Sequence, residues 1–112
     1  METARLLIDR GADVNGRTKY GETPLHTSSL YGHVDIARLL LDRGAHVDSI
    51  DLGRATPLME ASSRGHCKIV QLLIERGANV NTANEFGLRP LQMARVNQHP
   101  EVVRLLVKYG AT

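Results

Sequence analysis

The chain repeats itself every 33 residues. The pair Gly-Ala occurs at 11–12, 44–45, 77–78 and 110–111, and the pair Leu-Leu occurs at 6–7, 39–40, 72–73 and 105–106. Pro-Leu recurs with the same spacing, at 24–25, 57–58 and 90–91. Because several independent features share one period, we expect the chain to fold as an array of stacked structural units of that length.

Each unit carries the start and stop signals of two helices. In the first complete unit, a helix is predicted to run from Pro24 to Tyr31, with Thr23 as its N-cap. Gly32 is predicted to end this helix in the left-handed conformation. A second helix is predicted over 34–43, where Leu, Ile, Val and Ala are dense enough to contact both the partner helix and the next unit.

This pattern resembles the ankyrin repeat, whose signature is Thr-Pro-Leu-His-x-Ala at a period of 33. Versions of the signature occur at 23–28, 56–61 and 89–94, with Ser28 in place of alanine and Arg89 in place of threonine. The resemblance implies an all-α ankyrin-repeat solenoid of stacked antiparallel helix pairs joined by β-hairpin-like loops.

The register predicts a single ankyrin-repeat domain over 1–112, with a partial repeat at 1–15 and full repeats at 16–48, 49–81 and 82–112. Neither end helix shows the polar face that a terminal repeat normally has. Apolar side chains are therefore expected to be partly exposed at the two ends, namely Leu6, Leu7, Ile8, Val103 and Leu106. Two interpretations follow, a fragment of a longer array or self-association through the uncapped ends.

Two of the repeats depart from the shared pattern. Arg54 stands where the other two hairpins have glycine, and the order Gly53-Arg54 predicts a changed turn in which Gly53 takes the positive φ. In the third repeat, Arg89 as N-cap should cost about 1 kcal/mol, and Gln98 replaces a helix-ending glycine. We predict that this repeat is the least stable and frays first in hydrogen exchange.

The histidines and the cysteine are interpreted as structural. His33, His66 and His99 share one repeat position, so they should form a row about 10 Å apart, whereas a metal site needs ligands about 2 Å from one ion. Cys67 aligns with an apolar helix residue and is interpreted as a small buried hydrophobe, with a reactive thiolate beside His66 as the alternative. No third residue is identified that would orient a histidine as the general base for this cysteine. The chain is therefore predicted not to be an enzyme and to need no cofactor and no metal.

Composition narrows the classes of partner. The formal net charge is only +2, and no apolar run approaches the roughly 20 residues of a membrane helix. The basic residues do not alternate with aromatic residues, as they do in proteins that bind single-stranded nucleic acid. With one cysteine and no secretory signal, the prediction is an intracellular protein, in cytoplasm or nucleus, that binds neither nucleic acid nor membrane.

The resemblance implies that another protein or peptide binds to the hairpin tips and to the concave side of the first helices. For Leu30 and Val96, the alternative is packing between helices, and for Tyr31 it is covering a helix end. The positions of this surface that are predicted to bind the partner are Arg17, Lys19, Tyr20, Glu22, Leu30, Tyr31, Leu52, Arg64, Glu85, Phe86, Leu88 and Asn97.

Four apolar residues of this surface lie in turns, where a place in the core explains them less well than a place on the surface. They are Tyr20, Leu52, Phe86 and Leu88, and they are expected to form an apolar hot spot across successive tips. Arg17, Lys19 and the nearby acidic residues are expected to supply a polar rim.

The leading functional prediction is a protein–protein interaction module, either a scaffold or an adaptor. One alternative is an ankyrin-type inhibitor of a kinase or another enzyme, because residues 84–92 and the chain length are similar to those of small inhibitors of cyclin-dependent kinases. Another alternative is an engineered or truncated fragment of a longer ankyrin array.

Overall fold

The computed structural model describes residues 14–112, so the predicted partial repeat, with Leu6, Leu7 and Ile8, lies almost entirely outside the described residues. Within the described range the chain forms helices and no strands. The six helices are α1 (Pro24–Tyr31), α2 (Val34–Asp42), α3 (Pro57–Arg64), α4 (Cys67–Glu75), α5 (Pro90–Val96) and α6 (Pro100–Lys108). The predicted bounds of α1 are confirmed, and α2 ends one residue earlier than predicted.

Local chemistry explains where the first helices of the pairs begin and end. Thr23 and Thr56 cap α1 and α3, because each hydroxyl accepts a hydrogen bond from a backbone N–H of the first turn, at 3.3 Å in both cases. Gly32 and Gly65 end these helices with φ of 78° and 77°, in the left-handed conformation that glycine adopts without strain. The predicted caps and stops are therefore confirmed for the first two repeats.

The helices stack in two layers. The first helices α1, α3 and α5 form one layer, and the second helices α2, α4 and α6 form the other. Leu40, Leu73 and Leu106 occupy one repeat position, and all three are fully buried. The expectation that Leu106 would be partly exposed is wrong, because this position packs into the helix pair and the preceding repeat and is covered without a following one. Val103 is half-buried.

Histidine side chains join successive repeats. Nε2 of His66 lies 3.0 Å from the carbonyl oxygen of Leu30, and Nε2 of His99 lies 3.0 Å from that of Ser63. His26 Nε2 reaches the next hairpin in the same way, 2.8 Å from the Ala55 carbonyl oxygen. The predicted structural role is confirmed for these histidines, each of which satisfies a backbone acceptor of a neighbouring repeat.

In residues 14–112, three or more His, Cys, Asp or Glu side chains nowhere converge as metal ligands would. None of the helices described above has the length and apolar character needed to cross a membrane.

Candidate functional site: the hairpin tips and the concave face

The three hairpin tips are the same turn, built on a polar first residue. A side-chain oxygen of Thr18, Asp51 and Asn84 accepts the backbone N–H groups two and four residues further on, at 2.9 to 3.3 Å. The backbone N–H of each first residue also donates to the carbonyl four residues later. Sequence reasoning missed these three residues, although they recur every 33 positions and have the short oxygen-bearing side chains typical of such turns.

The fourth residue of each turn adopts the left-handed conformation. Its φ is 80° at Gly21, 64° at Arg54 and 77° at Gly87, whereas Gly53 has no positive φ. The prediction of a changed turn led by Gly53 is therefore wrong. The physical reason is that Asp51 accepts from the N–H groups on both sides of Arg54, so the arginine is held in the shape that the other tips reach with glycine.

Hydrogen bonds join the tips into one surface. The N–H of Leu52 donates to the Tyr20 carbonyl oxygen at 3.0 Å, and the N–H of Glu85 donates to the Gly53 carbonyl oxygen at 3.0 Å. The guanidinium of Arg17 donates to carbonyl oxygens of both the first tip and the second, at Ile50. Arg17 was predicted to supply a polar rim, and its contacts show that it braces two tips against each other.

Large apolar side chains project from this braced surface. Tyr20, Leu52 and Phe86 are 58%, 72% and 77% exposed, and we call these three the tip ridge. Leu88 is less exposed than these three, at 38%. The ammonium group of Lys19 lies 5.2 Å from the centre of the Tyr20 ring. The four turn residues predicted as a hot spot therefore lie outside the core, and the structure places them on three adjacent tips.

The C-terminal ends of the first helices, which belong to the predicted concave side, are partly open. Tyr31 and Val96 are 62% and 75% exposed, so the alternative that Val96 packs between helices is wrong, while Leu30 is half-buried. Asn97 is exposed, and its side-chain amide donates to the Ser63 hydroxyl at 3.2 Å. This hydrogen bond links the ends of two neighbouring first helices beneath the predicted surface.

Acidic side chains gather between the first two tips and α3. Burial raises the pKa of Glu60, and repulsion from Asp51 and Glu22 raises it further, whereas the nearby Arg64 lowers it. Glu22 belongs to the first hairpin and Asp51 to the second. Carboxylates of two successive repeats therefore both raise the pKa of Glu60, a residue of α3. Glu22 is half-buried and Arg64 is exposed, so charges of both signs act on Glu60 near the protein surface.

A family model for ankyrin repeats, which spans three copies, matches residues 1–51 and 49–112. A comparison with curated proteins gave no significant match. The match extends over the helix pairs, the Thr-Pro caps and the histidine contacts described above. Ankyrin repeats are generally protein–protein interaction modules and are typically not enzymes. This chain belongs to the ankyrin-repeat family.

Proposed function

We propose that this protein is a scaffold or adaptor that binds a partner protein or peptide across the tip ridge and the concave side of its first helices. The observation that supports this function is the exposure of Tyr20, Leu52 and Phe86 on turns whose backbones are hydrogen-bonded to one another. Large apolar side chains of this kind tend to dominate interfaces, and a rigid support reduces the entropy lost on binding.

The surroundings of the tip ridge suit a protein partner. The Lys19 ammonium group lies over the Tyr20 ring and Glu85 directly precedes Phe86, so both signs of charge adjoin the apolar side chains. An apolar centre with a polar rim of mixed charge is the usual arrangement of a protein interface. A nucleic-acid surface would instead need one sign of charge clustered on one face.

The experiment compares proteins captured from a cell extract by the wild-type chain and by the Tyr20→Ala/Phe86→Ala variant, with quantitative mass spectrometry as the readout. The control is Val107→Ala/Tyr109→Ala, which removes side chains that are 51% and 41% exposed at the far end of α6. Circular dichroism checks that each variant is folded. The captured partner is then expressed, and its affinity for the three chains is measured by calorimetry.

We expect the tip variant to weaken the partner's affinity by about 100-fold, because each lost anchor is worth about 1–2 kcal/mol or more. The control variant should bind like the wild type. A partner that binds the folded tip variant with unchanged affinity would refute this surface.

A further inference from the structure

Small residues at two positions allow the repeats to stack. Ser29 and Ser62 lie at one repeat position, and both are 0% exposed in the stacked first helices. Gly32 and Gly65 lie at the other, where the imidazole of the next repeat takes the space that a side chain would fill. A Cβ atom at Gly65 would lie 2.5 Å from the ring of His99, and one at Gly32 would lie 2.8 Å from the ring of His66.

The third repeat has large polar residues at these two positions. Arg95 aligns with the buried serines and Gln98 aligns with the glycines, and both are exposed. A further repeat stacked in the same way would bury the Arg95 guanidinium and would place its imidazole against the Cβ of Gln98. The third repeat therefore lacks the small residues that let the first three repeats stack on one another.

The same face retains an uncovered apolar floor. Val103 aligns with Ala37 and Val70, which are both 0% exposed in repeats that another repeat follows. In the third repeat this position lines an open groove of about 500 Å³, which we call the terminal groove. Its lining residues are Ala94, Arg95, Gln98, His99, Pro100, Val103 and Arg104.

The charge of the terminal groove is of one sign. Arg95 and Arg104 contribute guanidinium groups to its lining, and within the described part of the chain no carboxylate lines it. Glu101 lies on the same helix as Arg104, but it lines an adjoining depression, which shares Gln98, His99 and Pro100 with the terminal groove. A ligand in the groove therefore meets an apolar floor and two positive charges.

We propose that the terminal groove binds an acidic peptide segment that carries a large aliphatic side chain. The aliphatic side chain covers Val103 and Pro100, and flanking carboxylates pair with Arg95 and Arg104, whose planar guanidinium groups suit carboxylate oxygens. The volume is within the range of ligand pockets, and it accommodates one or two side chains. A basic partner would leave both guanidinium groups unpaired next to its own charge.

The test titrates the isotope-labelled chain with the blocked peptide Glu-Asp-Leu-Leu-Asp-Glu and follows backbone and methyl signals by NMR. We expect saturable shifts at Ala94 and Val103 that weaken as salt is added. The peptides Lys-Lys-Leu-Leu-Lys-Lys and Glu-Asp-Gly-Gly-Asp-Glu, which lack the charge and the aliphatic groups respectively, should bind about tenfold more weakly or not at all.

Variants separate the terminal groove from other surfaces. Arg95→Glu/Arg104→Glu should weaken binding of the acidic peptide by about tenfold or more. Lys68→Glu/Lys108→Glu, which changes the net charge equally, should leave it unchanged. The Tyr20→Ala/Phe86→Ala variant should also bind the peptide normally, so the outcome does not depend on the proposed function of the tip ridge.

Three results would overturn the proposal. They are shifts that map elsewhere on the chain, equal binding of the basic peptide, and unchanged affinity after Arg95→Glu/Arg104→Glu. A wild-type dimer in analytical ultracentrifugation that the same variant converts to monomer would assign the terminal groove to a second copy of the chain instead.

Discussion

Arg54 adopts a left-handed backbone conformation that a side chain disfavours. Its φ is 64°, and the equivalent residues of the other tips are glycines. A non-glycine residue in this conformation costs about 1–2 kcal/mol. The turn keeps its shape because the Asp51 carboxylate accepts two backbone N–H groups, one on each side of Arg54. At the scale of the residue, hydrogen bonds to a neighbour therefore override local preference.

Arg54→Gly should raise the free energy of unfolding by about 0.5–1 kcal/mol, because relief of the left-handed strain exceeds the extra chain entropy of glycine in the unfolded state. The measurement is urea denaturation followed by circular dichroism. Gly53→Ala is the matched control and should be nearly neutral, since its added Cβ would lie 3.5 Å from the nearest neighbouring atom. If instead Gly53→Ala is destabilising and Arg54→Gly is neutral, the result would favour the turn in which Gly53 takes the positive φ.

Helix α5 is capped less well at both ends than the other first helices, α1 and α3. Arg89 stands at its N-cap, and a guanidinium cannot accept a hydrogen bond from the first-turn N–H groups. Gln92 compensates in part, because its side-chain oxygen accepts the Arg89 N–H at 2.9 Å. At the other end, Gln98 takes a φ of 61° where glycine would be unstrained. At the scale of the element, the prediction that the third repeat frays first rests on both ends of this helix.

Arg89→Thr should stabilise the chain by about 1 kcal/mol through the restored N-cap. In native-state hydrogen exchange, amides of α5 should exchange faster than those of α3 in the wild type, and this difference should narrow in the variant. Thr56→Ala removes the equivalent cap from α3 and should destabilise by about the same amount. Equal protection of α3 and α5 in the wild type would contradict the predicted order of fraying.

The repeats form one array because each leaves space for a side chain of the next. The His66 ring occupies the space beside Gly32, and its Nε2 atom reaches the Leu30 carbonyl oxygen. Contacts of this kind join neighbouring repeats, so the stability of the whole molecule depends on the interfaces as well as on each helix pair.

Gly32→Ala should therefore cost more stability than Gly44→Ala. Both glycines have a positive φ, of 78° and 95°, so the backbone strain of an added side chain is shared. Only at Gly32 would the new Cβ meet another repeat, whereas nothing lies within 4 Å of one at Gly44. We expect an additional loss of about 1–3 kcal/mol at Gly32 from overpacking. If both variants lose the same free energy of unfolding in thermal denaturation, the contact between Gly32 and the His66 ring does not hold the repeats together.

Much of the fold is predictable because its determinants are local or repeated. The Thr23 cap and the Gly32 stop act within one turn of their own helix, and the aliphatic positions recur every 33 residues. The candidate site was predictable in part for the same reason. Tyr20, Leu52 and Phe86 could be assigned to turns from their place in the repeat, and each is exposed in the structure.

The period, the helix bounds and the turn positions of the exposed apolar side chains can be predicted from local signals, since these depend on neighbours along the chain and on the place in the repeat. Other features of the fold depend on contacts that form only when the helices and repeats pack together. The left-handed Arg54 is held by Asp51 of its own turn, whereas contacts between helices and between repeats set the burial of Leu106, the bracing role of Arg17 and the joining of three tips into one ridge. Each of these depends on how a residue packs in the folded array, or on contacts across a turn or between repeats, which no single helix or turn signal specifies.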